Sequence, residues 1–424
     1  MWLLILLGAL TLVTLYSIRK PTASQTVMEP IINGVSGEDH GGVLNIESIQ
    51  SFSVAQAAAV ARQNYGTATL PVTTGVTKIT FRYRSIDADG TPLTIYGRGY
   101  VPTGAKGKLP IFAFAPGTTG IGDECAASLE QPAKVNWGNY DSHMIMYASQ
   151  GYVSVTTDYE GMRDSQHLHH YMVGELEGRA LLDAVVALSR LPQTHAQADT
   201  QNVFLSGYSQ GGHAAFWADQ IASDYSPHIN IKGVVGFGPV MSVKQTLGDV
   251  VYGANINWFG PYVLASYQDY YKHNYPLDKI LEPAWIPNLK AEVIAHCIDT
   301  DISHWGRDPL KVYQPTFLSS YTDNTMSTYT PALLLDLDRN ATGAQTTTSA
   351  KLINEGKNDN VVLPRQQESI LPIMCAKSQG PVRYVVYSAT HYDTMVKSLP
   401  DTLAWMAGIR SGQLPASNCP TVSN

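Results

Sequence analysis

Two patterns of apolar residues alternate along most of the chain. A continuous apolar run, typical of a strand that is buried on both faces, occurs at residues 110–115, and a similar pattern follows at 152–157. Another buried strand is predicted at 231–237 and a last strand at 382–387. Between residues 173 and 191 the apolar residues instead recur every three to four positions, which predicts a helix. Strands that alternate with helices predict a mostly parallel sheet with helices on both faces.

The first part of the chain shows a different pattern. Residues 22–53 are polar and glycine-rich without a sustained period, so we predict an N-terminal tail. An alanine-rich helix is expected near residues 54–62. Apolar and polar residues then alternate over 78–83 and 94–101, on either side of the turn sequence at 87–90. This pattern predicts an antiparallel hairpin, which we expect at one edge of the sheet.

The alternation of strands and helices breaks between residues 241 and 335. Aromatic residues are dense here and prolines interrupt any long element, which predicts an inserted, mainly helical cap or lid. Strand character returns at residues 331–336 and 350–353, and a helix is expected from about 395 to 409. The predicted division is a signal peptide or anchor at 1–24, a core at 25–240 and 336–424, and the cap at 241–335.

Composition narrows the possible partners. The chain has 424 residues, of which only 15% are charged, and its net charge is −7. Both values argue against a nucleic-acid partner. The apolar run 2–16 suits the hydrophobic part of an export signal better than a membrane span, although the basic pair Arg19 and Lys20 after it could instead belong to an uncleaved anchor. We expect an exported protein that is secreted, periplasmic or held at the cell surface.

Cysteine usage agrees with export. An even number of cysteines in an exported chain predicts two disulfides, with Cys375 bonded to Cys419 near the C-terminus and Cys125 left to reach Cys297. The alternative is four buried reduced thiols.

The sequence Gly207-Tyr-Ser-Gln-Gly211 carries the clearest chemical pattern. It follows an apolar run and precedes residues with helical spacing, so it predicts a strand, a sharp turn and a helix. In a nucleophile elbow of this kind the glycines leave room where a Cβ would clash, and the turn raises Ser209 above the sheet. Ser209 is the candidate nucleophile, and the backbone N–H of Gln210 is a candidate oxyanion donor. The alternative is an ordinary turn with a chance serine.

A serine nucleophile needs an imidazole and a carboxylate on loops that follow later strands. His391 follows the last predicted strand, and Asp359 follows the strand that begins at residue 350. Asp336 and Asp338 are the rivals for the acid. A second oxyanion donor is expected from Thr118, in the glycine-rich loop after residue 115.

Three histidines near residue 170 raise the question of a metal site. His167, His169 and His170 form one run without a matching set of ligands elsewhere, so a solvated loop is expected. We expect no cofactor and no metal.

Taken together, these motifs resemble those of the secretory lipases of the α/β-hydrolase superfamily. The resemblance rests on residues 117–128, 158–161, 170–185, 207–212 and 356–359 and on the loop at His391. It implies an α/β-hydrolase fold with a lid, a triad of Ser209, Asp359 and His391, and the disulfides Cys125–Cys297 and Cys375–Cys419. The chain departs from bacterial members at Pro116-Gly117, where those usually have a His-Gly pair.

The leading hypothesis is a carboxylic-ester hydrolase that acts on acylglycerols or other lipid-like esters, at a lipid–water interface, through an acyl-serine intermediate. The first alternative is an esterase for short-chain or soluble esters, and a peptidase or amidase would use the same nucleophile. The alternative from another class is a non-catalytic binding protein with the same fold. The sequence indicates no protein partner.

Overall fold

A computed structural model describes residues 25–26, 40–130, 139–164 and 167–419. The described strands are β1 (Gln25–Thr26), β2 (Val43–Phe52), β3 (Val76–Ile86), β4 (Pro92–Pro102), β5 (Leu109–Ala115), β6 (Val153–Thr157), β7 (Ala198–Tyr208), β8 (Ile231–Phe237), β9 (Ala350–Gly356) and β10 (Val382–Tyr387).

The α-helices of the described residues are likewise numbered in chain order. They are α1 (Val54–Tyr65), α2 (Tyr140–Ser149), α3 (Gly174–Arg190), α4 (Gln210–Tyr225), α5 (Val243–Gly248), α6 (Phe259–Tyr271), α7 (Leu277–Ile280), α8 (Leu289–Ala295), α9 (Ile298–Trp305), α10 (Pro315–Thr322), α11 (Met326–Tyr329), α12 (Pro331–Arg339), α13 (Arg365–Lys377), α14 (Thr394–Lys397) and α15 (Leu399–Arg410).

All described strands belong to one sheet in the order β1-β2-β3-β4-β6-β5-β7-β8-β9-β10. Along this order, neighbouring strands pair antiparallel from β1 through β4 to β6. From β6 through β5 to β10 they pair parallel. The mostly parallel sheet predicted from the sequence is therefore confirmed, as are the predicted strands at β5, β6, β8, β9 and β10. The carboxyl ends of β5, β7, β8, β9 and β10 meet at one edge, where ligands bind in open α/β sheets.

Both faces of the sheet are covered, and strand β5 shows how. Ile111 and Ala113 pack in a cluster with residues of α3 and α4, whereas Phe112 and Phe114 pack in another with α1, α2 and α15. Successive side chains of a strand point to opposite faces, so a strand buried on both faces has to be apolar throughout. This explains the continuous apolar run that the sequence shows here.

The structure corrects the prediction of a tail at residues 22–53. Residues 43–52 form β2, which pairs with β3 on the side away from β4, so the hairpin β3–β4 is not at the edge of the sheet. The pairing of β2 with β3 has two register shifts, one after Val43 and one after Ile46. Irregularities of this kind disturb the alternation by which a strand is recognised.

The predicted strand at residues 331–336 is also wrong, because this segment begins helix α12. Pro331 occupies the first helical position, which suits its fixed φ and missing N–H. Leu333 and Leu337 are buried while Leu335 is exposed. The apolar spacing that matters is thus the four-residue spacing of a helix rather than the two-residue spacing of a strand.

Eight helices, α5 to α12, lie in the fully described stretch between β8 and β9, and we call them the helical segment. Most of its aromatic residues are buried in one hydrophobic cluster, which also contains Tyr171, Val361 and Val362 from neighbouring loops.

Disulfides join Cys125 to Cys297 and Cys375 to Cys419, which confirms the expected pairs. The first of them ties the helical segment to the loop after β5.

In the part of the chain that the structure describes, no helix combines the length and apolar character needed to span a bilayer. The predicted export signal or anchor at residues 1–24 lies outside the described residues.

Candidate active site

The turn between β7 and α4 has the geometry of a nucleophile elbow. Ser209 has φ +57° and ψ −117°, a strained conformation for a residue with a side chain. A Cβ on Gly207 would lie 1.8 Å from the carbonyl oxygen of Gly211, and a Cβ on Gly211 would lie 1.8 Å from that of Ala115. Only glycine fits at these two positions, because the strand, the helix and β5 approach each other so closely.

The elbow also orients Ser209 and the first N–H groups of α4. The N–H of Ser209 donates to the carbonyl oxygen of Phe237 at 3.0 Å, which joins the turn to the end of β8. Gln210 is the first residue of α4. The first N–H groups of a helix have no intrahelical partner and carry partial positive charge, so they can stabilise an oxyanion beside Ser209.

Asp359 and His391 come together from the loops after β9 and β10. An Asp359 carboxylate oxygen, Oδ2, lies 2.6 Å from Nδ1 of His391. The other oxygen, Oδ1, accepts hydrogen bonds from the backbone N–H groups of Val361 at 2.8 Å and Val362 at 2.9 Å. Both side chains are buried. The carboxylate is therefore held on one side by the backbone and presents its second oxygen to the imidazole.

A glycine next to this pair makes the approach possible. Gly238 has φ +50°, and a Cβ there would lie 3.0 Å from Nδ1 of His391 and 3.1 Å from Oδ2 of Asp359. The ring of Tyr208, the residue before Ser209, packs against His391 with centroids 4.7 Å apart. The acid–imidazole pair and the elbow thus meet at the carboxyl ends of β7 and β8.

A second carboxyl group lies behind Asp359. Glu355 is fully buried at the end of β9 and accepts a hydrogen bond from the N–H of Gly356 at 2.9 Å. Burial, followed by the negative charge of Asp359, raises the pKa of Glu355 well above its usual range. Burial therefore disfavours a second negative charge beside Asp359.

The rival acids lie elsewhere. Asp336 is buried in α12, where it contacts Nδ1 of His273 at 2.5 Å. Asp338 is half exposed and pairs with Lys244 at 3.3 Å. Neither of them is the hydrogen-bonding partner of His391.

The loop after β5, which carries Thr118, is held by three tyrosines. Tyr159 donates to the carbonyl oxygen of Pro116 at 2.6 Å, and Tyr140 donates to that of Gly117 at 3.2 Å. The hydroxyl of Thr118 lies 2.7 Å from that of Tyr171. Since the carbonyls and the Thr118 side chain are occupied in this way, the backbone of the loop has a defined orientation next to the elbow.

A buried polar network that the sequence patterns do not predict lies beneath the elbow. Glu177 of α3 is fully buried and accepts hydrogen bonds from Nε2 of Gln210 at 2.7 Å and from the N–H of Met172 at 3.0 Å. Its other oxygen lies 2.8 Å from Nδ1 of His213, whose Nε2 donates to the carbonyl oxygen of Asn340 at 2.7 Å. The network fixes the side chain of the residue whose N–H is the candidate oxyanion donor.

The signal for this network is present in the sequence. Glu177 lies within the apolar stripe of α3, four residues after Val173 and three before Ala180, so it faces the interior. A charged residue on a buried helix face needs polar partners, because an unpaired buried charge is costly.

The three histidines near residue 170 do not form one solvated loop. His169 is fully buried, where it accepts a hydrogen bond from Nε2 of Gln210 at 3.0 Å, whereas His170 lies 3.1 Å from Asp269 of the helical segment. His167 alone of the three is exposed, and it pairs with Asp164. The prediction of a solvated loop is therefore wrong for His169, and the elbow network accounts for its burial.

Access to the candidate nucleophile is restricted. Ser209 retains 8% of its surface and His391 retains 2%. Tyr171, beside Thr118, and Val361 and Val362, beside Asp359, pack in the same hydrophobic cluster as the helical segment. The loops next to Thr118 and Asp359 are thus packed against this segment.

The fold and the elbow define an α/β-hydrolase. The chain belongs to the secretory lipase family, whose sequence model matches residues 132–418. Lipase A of Moesziomyces aphidis is 29% identical over 172 residues, a match that covers 39% of this chain and 36% of that lipase. The matched part therefore spans about a third or less of the curated lipases to which the chain is similar.

Solved structures of lower identity share the fold over most of the chain. A ligand-bound form of the rice cell wall degrading esterase LipA from Xanthomonas oryzae has a TM-score of 0.71 at 21% identity, and the match covers 89% of this chain and 98% of that one. Candida antarctica lipase A in its closed state has a TM-score of 0.66 at 17% identity, with 90% of this chain and 85% of that one covered.

Proposed function

We propose that this protein hydrolyses carboxylic esters of lipids, acylglycerols among them, with Ser209 as nucleophile, His391 as general base and acid, and Asp359 as the carboxylate that orients His391. The observation that carries the proposal is the hydrogen bond of 2.6 Å between Asp359 and His391, next to a serine at a nucleophile elbow. A protein that only binds its ligand would not require a buried carboxylate aimed at an imidazole in this position.

In the first half-reaction the Ser209 oxygen attacks the ester carbonyl carbon and gives its proton to Nε2 of His391. The negative charge that develops on the carbonyl oxygen is stabilised by the N–H groups of Gln210 and Thr118. The intermediate then collapses to an acyl-serine, and His391 returns the proton to the leaving alcohol. In the second half-reaction water gives a proton to His391 and attacks the acyl carbon, and His391 then returns this proton to the Ser209 oxygen as the carboxylic acid leaves.

The helical segment acts as a lid in this proposal, and the expected bounds 241–335 are extended to residue 339, where α12 ends. Support comes from the small exposed fraction of Ser209 and from the hydrophobic cluster that the segment shares with the loops of the site. A lipid ester can reach Ser209 only when the segment moves. An oil–water interface would favour that movement, because it binds the apolar surface that the open form exposes.

The nucleophile is tested with Ser209→Ala and a fluorophosphonate probe. The variant should fold, lose all labelling, and lose hydrolysis by about 10⁴–10⁶-fold, since the residual rate comes from the oxyanion site and binding alone. Ser206→Ala is the matched control: Ser206 lies on β7, the strand that leads into the elbow, is buried, and donates to the carbonyl oxygen of Ala113 at 2.8 Å. Labelling of Ser209→Ala at the wild-type rate would disprove the assignment.

The substrate class is tested with p-nitrophenyl esters of graded chain length and an emulsified triglyceride. We expect activity on long-chain esters that rises when the substrate aggregates. Equal rates on monomeric and aggregated substrate, with a preference for short acyl chains, would instead favour an esterase for soluble esters.

A further inference from the structure

A second cluster of potential ligands lies in the helical segment, apart from the residues proposed for catalysis. Glu292 belongs to α8, His296 directly follows that helix, and His304 belongs to α9. One ligand atom from each of the three lies within 4.8 Å of the others. The rings of His296 and His304 are stacked with centroids 3.7 Å apart, so one ring has to turn before a nitrogen of each can face a common ion. Two imidazoles and a carboxylate from two helices therefore lie within reach of one ion after a side-chain rotation.

Hydrogen bonding within the cluster does not account for this arrangement. Nε2 of His304 is inaccessible to water and lies 3.0 Å from a carboxylate oxygen of Glu292, yet it forms no aligned hydrogen bond. Buried polar atoms are normally paired, and each exception needs an explanation. A cation held between the three side chains would pair this nitrogen and the carboxylate at the same time.

We propose that Glu292, His296 and His304 bind a divalent transition-metal ion, Zn²⁺ in particular. Imidazole nitrogen and carboxylate oxygen are ordinary ligands of Zn²⁺, and three protein ligands leave a fourth position for water. Two imidazoles among three ligands do not suit Ca²⁺ or Mg²⁺, which prefer oxygen ligands. All three residues are partly exposed, so the cluster lies near the protein surface.

The position of the cluster indicates a structural role. The ion would join α8 to α9 across the turn that carries Cys297, which is bonded to Cys125. The N–H of the next residue, Ile298, donates to the carbonyl oxygen of Thr119 at 3.0 Å. Thr119 follows the proposed oxyanion donor Thr118. The metal site would therefore reinforce the point at which the helical segment attaches to the loop after β5.

The test measures metal binding rather than activity, so it does not depend on the proposed function. The full chain, without a histidine tag and after treatment with a chelator, is titrated with Zn²⁺ by calorimetry and with Co²⁺ by visible absorption. His304→Asn and Glu292→Gln remove one ligand each. His167→Asn is the matched control, because His167 is an exposed histidine paired with a carboxylate outside the cluster.

The expected result is one Zn²⁺ per chain, with Co²⁺ bands typical of a low-coordinate nitrogen and oxygen site. Zn²⁺ should raise the Tm of the wild type and of His167→Asn by a few degrees, because it binds the folded state. Affinity should fall by at least about tenfold in both cluster variants. Absence of saturable binding to the folded wild type would overturn the proposal, as would an equal loss in His167→Asn or displacement of Zn²⁺ by Ca²⁺.

Discussion

Replacing Asp359 with asparagine should abolish turnover while leaving the fold intact. The two backbone N–H groups of Val361 and Val362 both donate to Oδ1, so the carbonyl oxygen of an asparagine has to occupy that position. The amide nitrogen then takes the place of Oδ2 and donates to Nδ1 of His391, 2.6 Å away. His391 is thereby held with its proton on Nε2, where it cannot accept a proton from Ser209.

The size of the effect follows from this forced tautomer. A triad whose imidazole is locked in the wrong tautomer loses about 10⁴ in kcat, equivalent to about 5.5 kcal/mol of transition-state stabilisation. KM should change little, because the carboxylate faces His391 rather than the acyl chain. Folding should be almost unaffected, since both backbone N–H groups keep their acceptor.

The assay is steady-state hydrolysis of a p-nitrophenyl ester, with circular dichroism and thermal unfolding as checks of the fold. Asp338→Asn is the exposed control and should retain wild-type kcat. Asp336→Asn is the buried control: it should lower the Tm, because Asp336 contacts His273 and Tyr275, but should keep most of the activity per folded molecule. If Asp359→Asn retains more than about a tenth of wild-type kcat, or if Asp336→Asn is the inactive variant, the assignment of the acid is wrong.

Three further predictions concern stability. Glu177→Ala should lower the free energy of unfolding by roughly 3–6 kcal/mol, because it leaves three buried partners unpaired. Glu177→Gln should cost much less, since its amide can still accept from Gln210 and donate to His213. Equal urea midpoints for the two variants would contradict this reasoning. Removing the Cys375–Cys419 disulfide, which closes a separation of 44 residues, should cost about 4 kcal/mol in the same urea assay, and an unchanged midpoint would refute it. Burial raises the pKa of Asp301 from 3.8 to about 7, so its contribution to stability is full below about pH 4 and is lost as the pH rises through 7. Asp301→Asn should therefore gain stability relative to the wild type over this range, by up to roughly 4 kcal/mol at pH 8, and a pH-independent difference would contradict the raised pKa.

Features that depend on residues close together in the chain could be predicted from the sequence. The elbow at Ser209 is set by steric contacts within five consecutive residues and one adjacent strand, so its pattern is local. The buried strands could also be predicted from the sequence, because burial on both faces of a parallel sheet requires apolar residues throughout. Strand order and the position after a strand then led to Asp359 and His391 as candidates, although the two are far apart in the chain.

Other features depended on contacts that local patterns do not record. Register shifts against β3 disturb the alternation of strand β2, so the sequence pattern does not reveal it. The short apolar run that begins at Pro331 suits a strand as well as the helix that it forms. The partners of Glu177 come from α4 and from the loop before α3, and His169 reaches the same network from that loop.

By itself, then, the sequence determined the class of fold, the elbow and the candidates for nucleophile, base and acid, since each rests on residue type and on position relative to a strand or helix. Only the tertiary structure decided which carboxylate faces His391, which charges are buried beneath the elbow, and that Glu292, His296 and His304 converge. Hydrogen bonds and metal ligation require specific atoms within a few ångströms, and that proximity arises from the packing of segments that are distant in the chain.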